Sequence, residues 1–236
     1  MMLLFVQENW KQILLSSLFG YFLGSINFAI LITKYKKAPD IRTMGSKNAG
    51  FTNVFRSVGK RPAIFTLIFD LIKGLLAVGL GWLFFSTVTA DTSVLAKECV
   101  TYGKYISGLF CILGHMFPIY FHFKGGKGVV TSVALILLTD WRVFCLIIIT
   151  FFIAFIVTKI ISLSVIICGV LFGPYTFLIV YYFDYIGSKN QLISHPFNYV
   201  IAVTACAIGI SALVIIKHKD NIKRLLKGEE KKITKA

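Results

Sequence analysis

Apolar residues in this chain come in long runs, without the strict alternation of a strand or the narrow stripe of a surface helix. Seven runs approach the about 20 residues that carry a helix across a bilayer. They lie at roughly 12–33, 62–83, 102–121, 128–140, 143–159, 163–183 and 197–216. Only Asp140, Trp141 and Arg142 separate the fourth from the fifth, and the fourth is short. The pattern predicts an all-α membrane protein built as a seven-transmembrane-helix bundle. No internal repeat is visible and no soluble domain interrupts the helices, so residues 1–236 read as a single transmembrane domain. The first run follows Glu8 and Lys11 and lacks a small-residue cleavage site, which predicts a retained anchor.

Composition supports this. Hydrophobic residues make up 57% of the chain, charged residues 15%, and mean hydropathy is +0.80. That leaves too little polar surface to cover a water-soluble globule. The basic surplus, 25 Lys and Arg against 10 Asp and Glu, sets the orientation because basic loops stay cytoplasmic. Most of the cations fall in the segment 34–61, around Lys124 and Lys127, and after Lys217. An odd number of spans, with the N-terminus outside and the C-terminus cytoplasmic, puts all three on one side; an even number strands the tail. The five cysteines (Cys99, Cys111, Cys145, Cys168 and Cys206) contain no C-x-x-C pair, so neither a disulfide nor a metal site is expected.

The polar chemistry then belongs to loops on the inner side, about 34–61 and 122–128. The first contains Gly45, Ser46, Lys47, Asn48, Gly50, Thr52, Asn53 and Arg56. Glycine lets backbone approach a ligand, Ser and Asn add donors, and arginine can grip two phosphate oxygens. The loop therefore reads either as an oxyanion cradle or as a solvated basic turn that only orients the protein. The second runs from Gly114-His115-Met116-Phe117-Pro118 to Lys124-Gly125-Gly126-Lys127-Gly128, just before a helix. This resembles the logic of a phosphate loop, although Gly128 occupies the place where a Walker motif needs Ser or Thr. Its alternative is a basic turn tethering two helices.

Two further features carry charge. Asp70 and Lys73 share a face of the second span, where charges are costly, and read as a functional pair or as a packing ion pair. His218, Asn221 and Arg224 form a stripe on a helix leaving the last span, which by itself fits an amphipathic tail on anionic lipid. There is no G-x-S-x-G elbow, no H-E-x-x-H and no H-x-x-x-x-D, which argues against a nucleophilic-serine or zinc enzyme.

Taken together these blocks resemble the bacterial acyl-phosphate-dependent glycerol-3-phosphate acyltransferases. The resemblance rests on Gly24-Ser25-Ile26, Arg42 to Gly59, Asp70 to Gly74, Gly114 to Pro118 with Phe123 to Thr131, Ser162-Leu163-Ser164, and His218 to Glu229. It implies seven spans and a cell-membrane protein with a cytoplasmic active site. The implied reaction moves a fatty acyl group from acyl phosphate to the 1-hydroxyl of glycerol 3-phosphate, giving lysophosphatidic acid and phosphate. The expected partners are those two substrates and the lipid bilayer, with no nucleic acid, no cofactor and a monomeric state. Ser46, Arg56, Lys124, His218 and Asn221 become candidate catalytic residues. Asn48, Gly50, Asn53, Gly125, Gly126, Lys127 and Ser162 become candidate substrate contacts. Three positions depart from the family pattern: Asn27 stands for Pro, Lys47 for Gly and Val165 for Ser. The Lys47 change predicts activity with altered substrate affinity. A small transporter for phosphate or phosphorylated solutes and a structural lipid-binding protein are the competing classes.

Overall fold

The computed structural model describes residues 2–88, 93–189 and 195–232, and every regular element among them is helical. In chain order these are α1 (Met2–Glu8), α2 (Trp10–Ser25), α3 (Phe28–Tyr35), α4 (Phe51–Ser57), α5 (Lys60–Ser86), α6 (Ser93–Met116), α7 (Val129–Thr139), α8 (Trp141–Thr158), α9 (Ile161–Ile179, continued as a π-helix over Val180–Ile186), α10 (Phe197–Lys217) and α11 (Lys219–Leu226). Among the described residues, five helical segments are long and apolar enough to cross a membrane: Trp10–Tyr35, Lys60–Ser86, Trp141–Thr158, Ile161–Ile186 and Phe197–Lys217. The chain is an all-helical integral membrane protein.

The other two predicted spans look different in the structure. α6 is 24 residues long but carries Lys97, Glu98, Lys104 and His115 along its length. It stops at Met116, so the stretch expected to run on to 121 is instead a turn at Pro118 and a single 3-10 turn, Ile119–Phe121. Proline lacks the N–H that a continuing helix needs and disfavours helical backbone in the residue before it. α7 has only 11 residues, about 16 Å at 1.5 Å per residue, roughly half a bilayer core.

The first span is broken as well. α2 ends at Ser25, and Asn27 starts α3 by accepting the Ile30 N–H at 3.1 Å. This is N-capping, which favours short polar side chains such as asparagine. A proline here would supply no cap.

The chain forms two compact units, Met1–Asp91 with Leu95–Thr139 and Asp140–Ala236 with Thr92–Val94. In the first, α5 is the hub, packed against α2, α3, α4 and α7. α2 and α6 approach at backbone distance: a Cβ on Gly24 would overlap the Cys111 carbonyl, and one on Gly20 the Ser107 carbonyl. Small residues permit such contact where lipid removes the usual hydrophobic drive between helices. In the second unit α9 packs between α8 and α10, and α11 returns against α9. The N-terminal end of α8 is clamped by Arg142, whose guanidinium bonds Asp140 at 2.6 Å and Asp184 at 3.0 Å.

Candidate active site

In the first unit the loop between α3 and α4 is organised from inside by Asn53. This residue is 1% exposed, and its Nδ2 lies within hydrogen-bond distance of the carbonyls of Ile41 (3.0 Å), Met44 (2.9 Å) and Asn48 (3.0 Å). Its Oδ1 accepts the Ser46 N–H at 2.9 Å. An asparagine so occupied holds the loop's shape and has little hydrogen-bonding capacity left for a ligand. The structure therefore places Asn53 inside the first loop, not on its surface. Ser46 and Arg56 are exposed, and Asn48 is half-buried.

Backbone geometry separates the glycines. Gly50 is extended (φ −163°), a conformation any residue adopts, whereas Gly45 is left-handed (φ 52°) and abuts Asn53 and Ser57. Lys47 is left-handed as well, at φ 58°. A non-glycine residue there costs roughly 1–2 kcal/mol, which explains why glycine suits the position where this chain has lysine.

The second loop is bound to the first. Arg42 donates from Nη1 to the carbonyls of Phe121 (2.8 Å) and Lys124 (3.4 Å), while Asp40 grips its Nε and Nη2 at 3.0 and 2.6 Å. The guanidinium holds the Asp40 carboxyl below the usual carboxylate range, and the carboxylate raises Arg42 further. A Cβ on Gly126 would come 2.7 Å from the Ala49 carbonyl oxygen, so the two loops also meet backbone to backbone. Lys124 is exposed and Lys127 half-buried beside Gly125 and Gly126. The contacts between the two loops thus run through Arg42 to the Phe121 and Lys124 carbonyls and through Ala49 to Gly126.

In the second unit Ser162, Asn221 and Arg224 converge on Glu230. Ser162 Oγ and Asn221 Nδ2 both donate to its Oε1 at 2.6 Å, and Arg224 Nε donates to Oε2 at 2.6 Å. Burial raises the Glu230 carboxyl, but these three hydrogen bonds outweigh it and leave the group below its ordinary value. His218 is buried where α10 passes into α11, with Nδ1 2.7 Å from the Val214 carbonyl. A carbonyl only accepts, so the ring proton sits on Nδ1 and Nε2 is the basic nitrogen. His195 precedes α10 and His218 follows it, so the 21-residue helix separates them by about 30 Å.

Three residues that matter here were not among the sequence candidates: Asp40, Arg42 and Glu230. The first two had a signal, because Asp-x-Arg recurs at Asp140 and Arg142 with the same side-chain clamp. Glu230 had none, as it stands among charged residues of the tail.

The family model described as glycerol-3-phosphate acyltransferase matches residues 14–228. Among curated relatives, the glycerol-3-phosphate acyltransferase of Francisella tularensis subsp. novicida is 36% identical over 92% of this chain and 90% of its own length. That of Francisella philomiragia subsp. philomiragia is 36% identical over 91% and 90%. The fold is similar to crystal structures of PlsY, an integral membrane glycerol 3-phosphate acyltransferase. Its glycerol 3-phosphate form aligns with a TM-score of 0.73 at 30% identity, over 94% of this chain and 96% of that one. Its lysophosphatidic acid form gives 0.69 at 29% identity, over 94% and 95%.

Two outcomes are expected. Lys47→Gly should raise the thermal stability of the detergent-purified protein by about 1 kcal/mol, because it relieves the left-handed strain; a loss of stability would show that Lys47 makes a compensating contact. Glu230 has a depressed folded-state pKa, so its stabilisation is complete above the ordinary value of 4.5 and is lost as pH falls through the lower, folded value. The thermal stability of the wild type should therefore fall on acidification more steeply than that of Glu230→Gln, and parallel curves would contradict the assignment.

Proposed function

Since the chain belongs to the glycerol-3-phosphate acyltransferase family, we propose that it takes its acyl group from acyl phosphate, transfers it to the 1-hydroxyl of glycerol 3-phosphate, and releases lysophosphatidic acid and phosphate. The observation that supports this reading is the joining of two glycine-rich loops, rich in the cations Arg56, Lys124 and Lys127, through Arg42 and the Ala49–Gly126 approach. Both substrates and both products are phosphate species. The donor adds a long apolar tail, which suits a site at the membrane surface.

An acyl phosphate is a mixed anhydride and already activated. The protein has mainly to position the hydroxyl and stabilise charge on the oxyanion and the departing phosphate. Arg56 supplies a bidentate fork for phosphate, Lys124 and Lys127 supply point charges, and Ser46 and Asn48 supply neutral donors. Gly50, Gly125 and Gly126 leave space free of side chains, while their own N–H groups bond the Asn48, Met116 and His115 carbonyls. Asn53 acts by holding the first loop. Within the second unit, Ser162 and Asn221 are oriented by Glu230. The hydroxyl proton goes either to the donor phosphate or to His218 Nε2. The positive charge of the loops and tail supports a cytoplasmic site with the N-terminus outside, and α6 and α7 complete seven crossings in this reading.

Purified protein in detergent, supplied with glycerol 3-phosphate, should form lysophosphatidic acid from acyl phosphate and not from acyl-CoA; the reverse preference would overturn the donor assignment. Arg56→Lys keeps charge and loses the fork, so KM for glycerol 3-phosphate should rise about tenfold, the equivalent of about 1.4 kcal/mol. An unchanged KM would remove Arg56 from phosphate binding.

A further inference from the structure

Lys73 lies in α5, 3% exposed, and the proposed reaction has no direct use for it. Its Nζ is 2.8 Å from Asp70 Oδ1, 2.7 Å from the Ile26 carbonyl, 3.2 Å from the Gly24 carbonyl and 3.0 Å from His115 Nδ1. The ring of Phe28 lies 5.7 Å away. An ammonium has three N–H donors, and four acceptors surround this one. It is saturated, so it is not a substrate ligand.

The acceptors share a position in the fold. Gly24 and Ile26 stand at the C-terminal end of α2, where carbonyls lose their helical partners. His115 stands in the last turn of α6. Lysine thus braces two helix ends, and each end continues into one of the anion loops. Beyond Ile26, Asn27 Nδ2 donates to the Ala49 carbonyl at 3.4 Å. Beyond His115, the chain turns back so that the Gly126 N–H donates to the His115 carbonyl at 3.0 Å. Because the lysine only donates, His115 Nδ1 accepts and the ring proton is on Nε2. That Nε2 edge faces Gly126 so closely that a Cβ there would overlap it, with the Ala49 carbonyl at 2.7 Å from the same point. One residue from each loop therefore meets over the imidazole that Lys73 holds.

We infer that Asp70, Lys73 and His115 form a buried positioning relay that sets the spacing of the two glycine-rich loops, and that it governs affinity for the phosphorylated acceptor rather than the acyl-transfer step. Asp70 supplies the counter-charge, Lys73 the fixed point and the His115 ring the spacer. This rests on the reading of the loops as a phosphate cradle. An ion pair that merely packs helices would affect the yield of folded protein and leave the kinetics of the folded fraction unchanged.

A double-mutant cycle on the full chain in detergent separates the two. Lys73→Met removes the brace, and His115→Asn keeps an acceptor toward Lys73 while withdrawing the ring edge from Gly126. Each single variant should raise KM for glycerol 3-phosphate about tenfold with kcat within about threefold, the signature of lost binding common to ground and transition states. Since both act through one relay, the double variant should be no worse than the weaker-binding single. Folded singles with wild-type KM, or a double variant in which the two effects multiply, would overturn the inference. If Lys73→Met does not fold, Asp70→Asn replaces it in the cycle with the same criteria. Wild-type turnover in the same assay tests the reaction separately. Should it be absent, the Kd for glycerol 3-phosphate, measured by calorimetry on the same variants, replaces KM and decides the relay alone.

Discussion

A break in a helix within or near the hydrocarbon leaves carbonyls that no water can satisfy, and the first unit is arranged around the answer to that constraint. At the junction of α2 and α3 the carbonyls of Gly24 and Ile26 turn to one ammonium from α5. That ammonium needs a counter-charge, which Asp70 supplies from the same helix face. It also needs close neighbours, and the backbone contact of α2 with α6, permitted by Gly20 and Gly24, brings α6 within reach. An ordinary side chain at either glycine would push the helices apart.

The loops build on this frame with hydrogen bonds that are mostly internal. Asn53 uses its amide to close one loop on itself, and Arg42 spans to the carbonyls of the other. Such saturation fixes the backbone that carries the exposed Arg56 and Lys124. Preorganisation of this kind suits the acyl-phosphate reaction proposed above.

Hydrophobic runs are a strong signal, so the existence and approximate place of the long helices could be read directly from the sequence. Their interruptions could not. Ser25-Ile26-Asn27 breaks α2 from α3 with only two polar residues, too few to interrupt the apolar run, and Phe117-Pro118-Ile119-Tyr120-Phe121 is apolar enough to look like more span, although Pro118 ends the helix. The two loops announced themselves through glycine and cations, since few other roles require that mixture. Composition says nothing about direction, however. Asn53 and Arg56 looked alike as phosphate donors, yet one points into its loop and the other is exposed. Glu230 was invisible because a glutamate among lysines looks like solvated tail until Ser162 and Asn221 are seen to bond it.

The bond between Ser162 and Glu230 joins positions 68 residues apart, with all of α10 between them. At synthesis rates of roughly 5–20 residues per second, the serine emerges several seconds before its partner exists. The cluster around Glu230 can form only after α10 has entered the membrane and the chain beyond it has been released on the far side of that helix. Assembly of the second unit therefore ends with a carboxylate arriving from the aqueous phase, and the polar groups at the N-terminal end of α9 must stay hydrated until it does.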